Sequence, residues 1–365
     1  MSMLRKSVTL SLQEEIDTLK KNNSFAISLS NPSFSPKYLK NINLSKFNLQ
    51  GSLAGEEKLI NLSKKKLFKN WDIINQDKSK ILITNGAKAA LYCIFKGISN
   101  DNKKNNFGII NPNWPTYVDL INVANANPFF FNTYLRDNFN IDLIKLEKFI
   151  IENNLKLLVV SSPNNPCGKV YDEKTILNLI KICTKNKCYL ILDESFSSHI
   201  FIKQSKENII KYNHNYLIIV NSFSKNFHLQ GLRLGAILAS KKMIEIFTNI
   251  HIAINGAPNY LAQNLIIKYR NELLKTPDLT KKMNFVSNFF TSKGVDFYKP
   301  DGSFYIFPKI LNKRKFKDLS KKNGLFYLSG DAFGDNYKDY YRFCFEKNEM
   351  ELRMIVSIMD KNGIY

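Results

Sequence analysis

The sequence contains few of the residues that mark disulfide-rich, low-complexity or collagen-like proteins. Its 365 residues include only 5 Cys, 15 Gly and 11 Pro. The cysteines form no Cys-x-x-Cys pair and lie beside no histidine at the spacing of metal ligands, which argues against a zinc site or a disulfide framework. An odd number of cysteines with apolar neighbours is typical of free thiols in a reducing compartment. We therefore expect a cytoplasmic protein without a metal site.

Long apolar stretches are missing as well. No run approaches the ~18 residues of a transmembrane helix, and residues 1–16 contain no apolar core of a secretory signal. Hydrophobic residues nevertheless make up 44% of the chain and aromatic residues 13%. That composition is enough for a packed interior and excludes a disordered or fibrous chain. We expect no membrane partner.

Acidic residues are scarce, at 31 Asp and Glu against 53 Lys and Arg, which gives a net charge of +22. Such an excess would suit a protein that binds nucleic acid or a membrane surface. The lysines, however, come in short clusters scattered along the chain, without a basic tail and without interleaved aromatic residues. A lysine-rich codon bias accounts for this pattern more simply, and we expect no nucleic-acid partner.

Short apolar runs alternate with helical spacing from about residue 75 to residue 240. The runs are 80–84, 107–110, 156–160, 188–192, 216–220 and 233–238. They are rich in Ile, Leu and Val and do not alternate in polarity, which is typical of strands covered on both faces of a mostly parallel sheet. Their alternation with helices indicates an α/β fold.

The chain length suits about two domains. We predict a large, doubly wound, mostly parallel sheet domain at residues 46–255. Residues 1–45 are expected to form an N-terminal arm and part of a small domain, and residues 256–365 the C-terminal small domain. Together these two segments would build a smaller α+β domain, with strands at 294–298, 302–307 and 340–345.

Polar residues follow five of the runs at the point where each run ends. They lie at 84–88, 111–117, 161–168, 193–196 and 221–225. In open parallel sheets, ligands bind outside the carboxyl ends of the strands. Turns alone do not require so many polar groups, so we expect one large site at this edge.

A phosphate cup is indicated by hydroxyls, a guanidinium and amides at the start of a helix. These groups belong to Ser222, Ser224, Arg233, Ala87 and Lys88. At the edge of the cup, Lys225 can form a Schiff base with an aldehyde. Asp193 ends the central run, where burial would raise the pKa of its carboxyl unless a cation such as a pyridinium nitrogen faces it.

Two further side chains complete the pattern. Asn165 can donate a hydrogen bond to a phenolate oxygen, and Trp114 can stack on a flat ring. Cup, lysine, carboxylate, amide and aromatic platform together describe a site for pyridoxal 5'-phosphate (PLP), whose chemistry requires a Schiff-base lysine and a partner for the pyridine nitrogen.

The chain resembles the fold-type-I PLP enzymes of the class I and II aminotransferase superfamily, which includes histidinol-phosphate aminotransferases and threonine-phosphate decarboxylases. The most specific matches are Asn164-Asn-Pro-Cys-Gly168, Asp193-Glu-Ser-Phe196 and the stretch 222–235. The resemblance implies a homodimer with Lys225 and Asp193 as catalytic residues. It assigns the cofactor to Ala87, Lys88, Trp114, Asn165, Asp193, Ser222, Ser224, Lys225 and Arg233. It assigns the substrate to Arg342, as the clamp of the carboxylate, and to Asn165 and Ser30.

The resemblance implies a PLP-dependent aminotransferase that moves an amino group between an amino acid and a 2-keto acid. The same residues would also serve a PLP-dependent decarboxylase or a lyase, because the bond that breaks depends on which Cα bond stands perpendicular to the ring. A non-catalytic basic binding protein is a third alternative, and the retained lysine, aspartate and arginines speak against it. Phe196 and His228 stand where the family usually has Tyr and Gly, and the consequence of these changes stays open.

Overall fold

The structure is a computed structural model that describes residues 7–33, 51–71, 81–99, 105–203 and 215–365. The predicted domain boundary between residues 45 and 46 lies outside these ranges. The division at residue 255 stays a prediction.

The described strands and helices alternate through the middle of the chain. The strands are β1 (Ile27–Ser28), β2 (Ile81–Thr84), β3 (Asn106–Asn111), β4 (Asn127–Asn132), β5 (Leu155–Ser161), β6 (Tyr189–Asp193), β7 (Leu217–Ser222), β8 (Gly235–Leu238), β9 (Tyr305–Ile306), β10 (Leu325–Phe326), β11 (Leu328–Ser329) and β12 (Tyr341–Cys344). The helices are α1 (Val8–Lys21), α2 (Glu57–Lys66), α3 (Ala87–Ile98), α4 (Thr116–Val123), α5 (Leu143–Glu152), α6 (Glu173–Lys185), α7 (Phe223–Asn226), α8 (Lys241–Asn255), α9 (Tyr260–Lys268), α10 (Arg270–Leu273), α11 (Thr280–Ser292), α12 (Lys313–Lys322) and α13 (Glu349–Asn362).

Seven strands form one sheet in the order β2-β8-β7-β6-β5-β3-β4. The strands from β7 through β4 run parallel to their neighbours, whereas β8 is antiparallel to both β7 and β2. The predicted large, mostly parallel sheet is therefore confirmed. All six predicted runs overlap its strands.

Both faces of this sheet are covered, as the apolar runs predicted. Successive residues of β5 face opposite sides, so that Leu157 and Val159 join one core cluster while Leu158 and Val160 join another. Helices α3 and α8 contribute to the first cluster, and α6 and α9 to the second. This arrangement explains why the strands carry no polar alternation.

Strand β4 was missed by the sequence reading. Its Asn-Pro-Phe-Phe-Phe-Asn sequence contains Pro128, and a proline within a run argues against a central strand. In the structure β4 pairs only with β3 and lies at the edge of the sheet, where a missing N–H is tolerated.

Smaller sheets lie outside this region of the chain. Strands β11, β12 and β9 form an antiparallel sheet, and β1 pairs with β10 in parallel. Strands β1, β9, β10 and β12 and helices α11 and α13 share a separate core cluster. N-terminal and C-terminal segments therefore pack together, in agreement with the predicted α+β part.

Two details of the C-terminal prediction change. The expected strand at 294–298 was wrong, because Gly294 ends α11 in a left-handed conformation with φ of +66° and the next residues form no ladder. The runs at 302–307 and 340–345 contract to β9 and β12. None of the described helices is long and apolar enough to cross a membrane.

Candidate active site

The register of the sheet brings the polar strand ends to one edge. Ser161 at the end of β5 is paired with Asp193 at the end of β6. Ser222 ends β7 and is paired with Gly235, which begins the antiparallel β8. Gly235 is also paired with Thr84, the last residue of β2. The loop before β8 therefore opens at the same edge as the ends of its neighbours.

Hydroxyl groups and a guanidinium lie together after β7. The Ser222 side chain caps α7 by accepting a hydrogen bond from the Ser224 amide at 3.2 Å. Arg233 approaches the same turn, with Nη1 3.5 Å from Ser224 Oγ. Arg233 holds a left-handed conformation with φ of +52°, an uncommon backbone geometry for a residue other than glycine. The strained turn directs its guanidinium into the cup.

Two glycines allow the start of α3 to meet this guanidinium. A Cβ on Gly86 would lie 2.7 Å from Arg233 Nη2, and a Cβ on Gly235 would lie 2.6 Å from the Ala87 amide nitrogen. Both positions therefore require glycine. The first amides of α3, at Ala87 and Lys88, have no partners within the helix and carry the positive end of its dipole. Hydroxyls, guanidinium and amides thus form a cup that suits a phosphate.

Asp193 lies at the end of the central strand and is only 4% exposed. Tyr117 donates a hydrogen bond to Oδ2 at 2.6 Å, and the Ser195 amide donates to Oδ1 at 3.0 Å. Burial raises the pKa of Asp193 above its usual range although both hydrogen bonds lower it. A cation beside the carboxylate would offset the desolvation.

Trp114 is joined to this carboxylate through Tyr117. The two rings meet edge to face, with centroids 5.5 Å apart. The Lys88 ammonium lies 5.6 Å from the centroid of the indole. Trp114 therefore contacts both Lys88, at the start of α3, and Tyr117, which binds Asp193.

Lys225 projects from the short helix α7. Burial, together with the charges of Arg342, Arg233 and Lys88, lowers the pKa of its amine to about 8. These three cations come from separate elements, and each contributes to the lowered pKa of this one amine. His199 Nε2 donates a hydrogen bond to the Lys225 carbonyl at 2.9 Å. A lysine with this pKa is a better nucleophile near neutral pH than an exposed one.

Arg342 lies on β12 and is 3% exposed. Its Nη1 donates to Asn165 Oδ1 and its Nη2 donates to the Ser30 carbonyl, each at 3.1 Å. Its guanidinium carbon lies 4.2 Å from the ring centroid of Tyr305 and 5.3 Å from that of Phe333. The buried Nε has no hydrogen-bond partner in the described part of the chain. The group is held in place yet keeps a donor for an anion.

Asn165 and Ser30 act differently from each other. The Asn165 carbonyl oxygen is used by Arg342, which leaves its amide nitrogen as a donor. The Ser30 hydroxyl donates to the Arg342 carbonyl at 2.7 Å and accepts from the Leu328 amide at 2.9 Å. Ser30 therefore orients Arg342 through backbone contacts.

Sequence reasoning missed the residues that support the predicted ones. Tyr117 and Asp193 lie 76 residues apart in the sequence. The only sequence signal for Tyr117 was its place in the polar strand-end stretch 111–117. His199 and Tyr305 gave no signal, because their partners come from distant elements. Within the described ranges no group of three or more His, Cys, Asp or Glu side chains is arranged to hold a metal ion.

Comparison with known proteins relates the chain to one family. Residues 35–358 match the family model described as aminotransferase class I and II. An aspartate aminotransferase of Sulfurisphaera tokodaii is 29% identical over 294 residues, which are 76% of this chain and 73% of the relative. A probable aspartate/prephenate aminotransferase of Rickettsia bellii is 26% identical over 288 residues, 73% of this chain and 68% of the relative.

Solved structures share the fold. The crystal structure of aspartate aminotransferase from Thermotoga maritima has a TM-score of 0.84 at 22% identity and covers 99% of this chain and 98% of that chain. The Thermus thermophilus aspartate aminotransferase with maleate has a TM-score of 0.86 at 18% identity, covering 98% and 97%. At such identities the likeness shows the fold alone.

The buried Asp193 should lower the stability of the protein when no cofactor is added. The folded-state pKa of its carboxyl is raised, so the unfolded chain ionises first as the pH rises, and the destabilisation grows above the ordinary pKa of Asp. Asp193→Asn should therefore raise the free energy of unfolding at neutral pH by about 1 kcal/mol. The gain should vanish in acid.

Denaturant unfolding of the cofactor-free protein at neutral and acidic pH measures this effect. Asp137→Asn, which changes an exposed carboxylate, is the control and should leave the free energy of unfolding unchanged. Loss of stability in Asp193→Asn at neutral pH would show that the carboxylate is already balanced by a cation of the protein.

Proposed function

The chain belongs to the aminotransferase class I and II family, and from this premise we propose that it holds PLP through the cup, Asp193 and Lys225. The protein is an aminotransferase, which moves an amino group between an amino acid and a 2-keto acid. The observation that carries the cofactor proposal is the convergence of three cations around the Lys225 amine, whose pKa falls to about 8.

The residues present fit the phosphate of PLP. A dianionic phosphate needs several donors and a compensating charge, and the cup offers the Ser222 and Ser224 hydroxyls beside Arg233. A side chain at Gly86 would collide with that guanidinium, so the glycine keeps the cup open. The start of α3 adds amides that have no partner within the helix.

The residues around Asp193 fit the pyridine ring. A protonated ring nitrogen is the kind of cation that a buried carboxylate with a raised pKa requires. Tyr117 and the Ser195 amide hold the two carboxylate oxygens in fixed directions. Trp114 offers a ring for stacking, and the free amide nitrogen of Asn165 offers a donor to the phenolate oxygen.

Arg342 and Lys225 have different roles toward the substrate: Arg342 binds its carboxylate and Lys225 moves its Cα proton. The unpartnered Nε of Arg342 and the remaining hydrogens of its guanidinium suit a carboxylate, while Tyr305 keeps the group in place. When bound, PLP supplies an electron sink that makes the Cα–H bond of an amino acid acidic. The lowered pKa lets the Lys225 amine take up and return that proton near neutral pH.

Transamination is favoured over the alternatives of decarboxylation and elimination. The two relatives named above are aminotransferases, and this chain matches 73% and 68% of their lengths. Because relatives at 25–29% identity carry the name aspartate aminotransferase, we propose L-aspartate as the amino donor and a 2-keto acid as the acceptor.

We also propose a homodimer and a cytoplasmic location. Leu53 and Ile254 are apolar residues that are 49% and 48% exposed. Leu53 follows Gly51 in the chain and Ile254 precedes Tyr260, and the Tyr260 hydroxyl donates a hydrogen bond to the Gly51 carbonyl. A second copy that covers this surface would bury both. The five cysteines are unpaired and buried, as expected in a reducing compartment.

Covalent attachment of the cofactor can be tested on the purified protein. Cofactor-free protein mixed with PLP and then reduced with borohydride should carry the label at Lys225, because the pKa of this amine is lowered to about 8 and the amine is therefore largely neutral near that pH. Only the neutral amine attacks an aldehyde, so the rate of attachment should rise with pH and level off above about 8. Peptide mapping by mass spectrometry measures the site of the label.

Matched lysine variants make this result decisive. Lys225→Ala should abolish the label, whereas Lys156→Ala, which removes a lysine bound to Asn105 at the amino end of β5, should keep it. A label that persists in Lys225→Ala would disprove the assignment.

A further prediction concerns Arg342. Arg342→Lys should raise KM for L-aspartate by about ten- to hundredfold, because a single ammonium cannot replace charge-assisted, two-pronged hydrogen bonding. β-Alanine, which lacks the α-carboxylate, should react at nearly the same rate with both proteins. Steady-state kinetics with the two compounds measures the difference.

Arg353→Lys is the control for this substitution, because Arg353 is exposed on α13 and pairs with Glu349. It should leave both rates unchanged. Equal losses for L-aspartate and β-alanine in Arg342→Lys would mean that Arg342 supports the fold and does not clamp the substrate.

A further inference from the structure

A cluster of two buried and one half-buried ionisable side chains lies beside the candidate site and has no role in the proposed chemistry. It consists of His228, Glu346 and Lys282. His228 Nδ1 lies 3.6 Å from Glu346 Oε1, and Lys282 Nζ lies 2.9 Å from Glu346 Oε2. The side chains of His228 and Glu346 are each 5% exposed. Burial raises the pKa of Glu346, and the hydrogen bond and charge of Lys282 oppose that shift.

His228 also contacts the segment that carries Lys225. It lies three residues after Lys225 in the sequence. Its ring stacks on the His199 ring, with the two centroids 5.5 Å apart. His199 in turn donates to the Lys225 carbonyl at 2.9 Å. Burial lowers the pKa of His199 to about 4, so this imidazole stays neutral at physiological pH and Nε2 carries the shared hydrogen. The backbone of Lys225 is thus tied to the histidine pair.

Glu346 belongs to the segment that carries Arg342. It follows β12 closely, and backbone hydrogen bonds fix it on both sides: Phe345 donates to the Phe304 carbonyl at 3.1 Å, and Ser33 donates to the Glu346 carbonyl at 2.8 Å. The Phe304 ring also meets the His228 ring edge to face at 6.3 Å. The contact between His228 and Glu346 therefore joins the two segments that hold Lys225 and Arg342.

The backbone of His228 adopts a conformation that is uncommon for a residue with a side chain. His228 has φ of +56°, in the left-handed region that glycine adopts without a steric penalty. A residue with a side chain persists in such a conformation where its surroundings hold it there. Here the surroundings are His199, Phe304 and Glu346.

We propose that His228 and Glu346 are positioning residues, whose contact fixes the Lys225 amine relative to the Arg342 guanidinium. The inference rests on the proposed roles of Lys225 and Arg342. Arg342 fixes one end of the substrate and Lys225 acts on its Cα–H bond, so the distance between the two side chains sets the alignment of that bond. Neither His228 nor Glu346 touches the reacting atoms.

The test measures kcat and KM of the PLP-loaded protein with L-aspartate in His228→Asn, Glu346→Gln and the double variant. Asn tolerates the left-handed conformation, and Gln keeps the shape of Glu without its charge. Each single variant should lower kcat by about ten- to hundredfold, because small misplacements are costly, while KM stays within about twofold. The double variant should be no slower than the slower single one, because both remove the same contact.

Retained PLP and the thermal unfolding midpoint are measured on the same samples. Both should stay close to those of the unchanged protein, because the phosphate cup is intact. Glu349→Gln, which removes an exposed carboxylate from the start of α13, is the control and should keep full kcat. If one single variant fails to fold, kcat and retained PLP of the other single variant still test the proposal.

Unchanged kcat in either folded single variant would overturn the proposal. So would losses of kcat that multiply in the double variant, because the two residues would then act independently. A fall in kcat that merely follows lost PLP would assign the cluster to cofactor retention and would overturn the proposal as well. Failure of the proposed function would appear separately, as an unchanged KM in Arg342→Lys measured in the same assay.

Discussion

The concentration of positive charge at one edge of the central sheet is the constraint on which the rest of the site depends. Arg342, Arg233 and Lys88 all lower the pKa of Lys225 there, and burial also depresses the pKa of both Lys88 and Lys225. Asp193 is buried at the same edge with a raised pKa. Charges as buried as those of Arg342 and Asp193 are costly unless ions of opposite sign lie beside them, and a ligand can supply such ions. A phosphate, a carboxylate and a pyridinium nitrogen meet these requirements together.

Local departures from regular geometry serve this arrangement. Gly86 and Gly235 allow the start of α3 and the guanidinium of Arg233 to come together where any side chain would collide. Arg233 and His228 both adopt left-handed conformations on the loop after α7. Strain at a functional site is maintained by the surrounding packing. The antiparallel strand β8, which leaves this loop at the carboxyl edge, is therefore part of the site's construction.

The sequence was sufficient to predict the six runs of the central sheet and the edge at which their polar residues meet, because buried parallel strands have an apolar signature of their own. It was insufficient for β4, whose proline is tolerated only at an edge, and for 294–298, where Gly294 ends a helix. The residues that would contact the cofactor and the substrate could be predicted from their residue types at the ends of the strands. Their supports, such as Tyr117 on Asp193, depend on contacts between distant segments that no local pattern encodes.

Transfer of the amino group itself tests the account most directly. Purified protein loaded with PLP is given 2-oxoglutarate and L-aspartate that carries an isotope label on its amino nitrogen, and the products are identified by mass spectrometry. If the protein transfers the amino group from L-aspartate to 2-oxoglutarate, the label appears in glutamate and oxaloacetate forms in equal amount. Label that stays in an amine formed by loss of a carboxyl group, with none in glutamate, would contradict it.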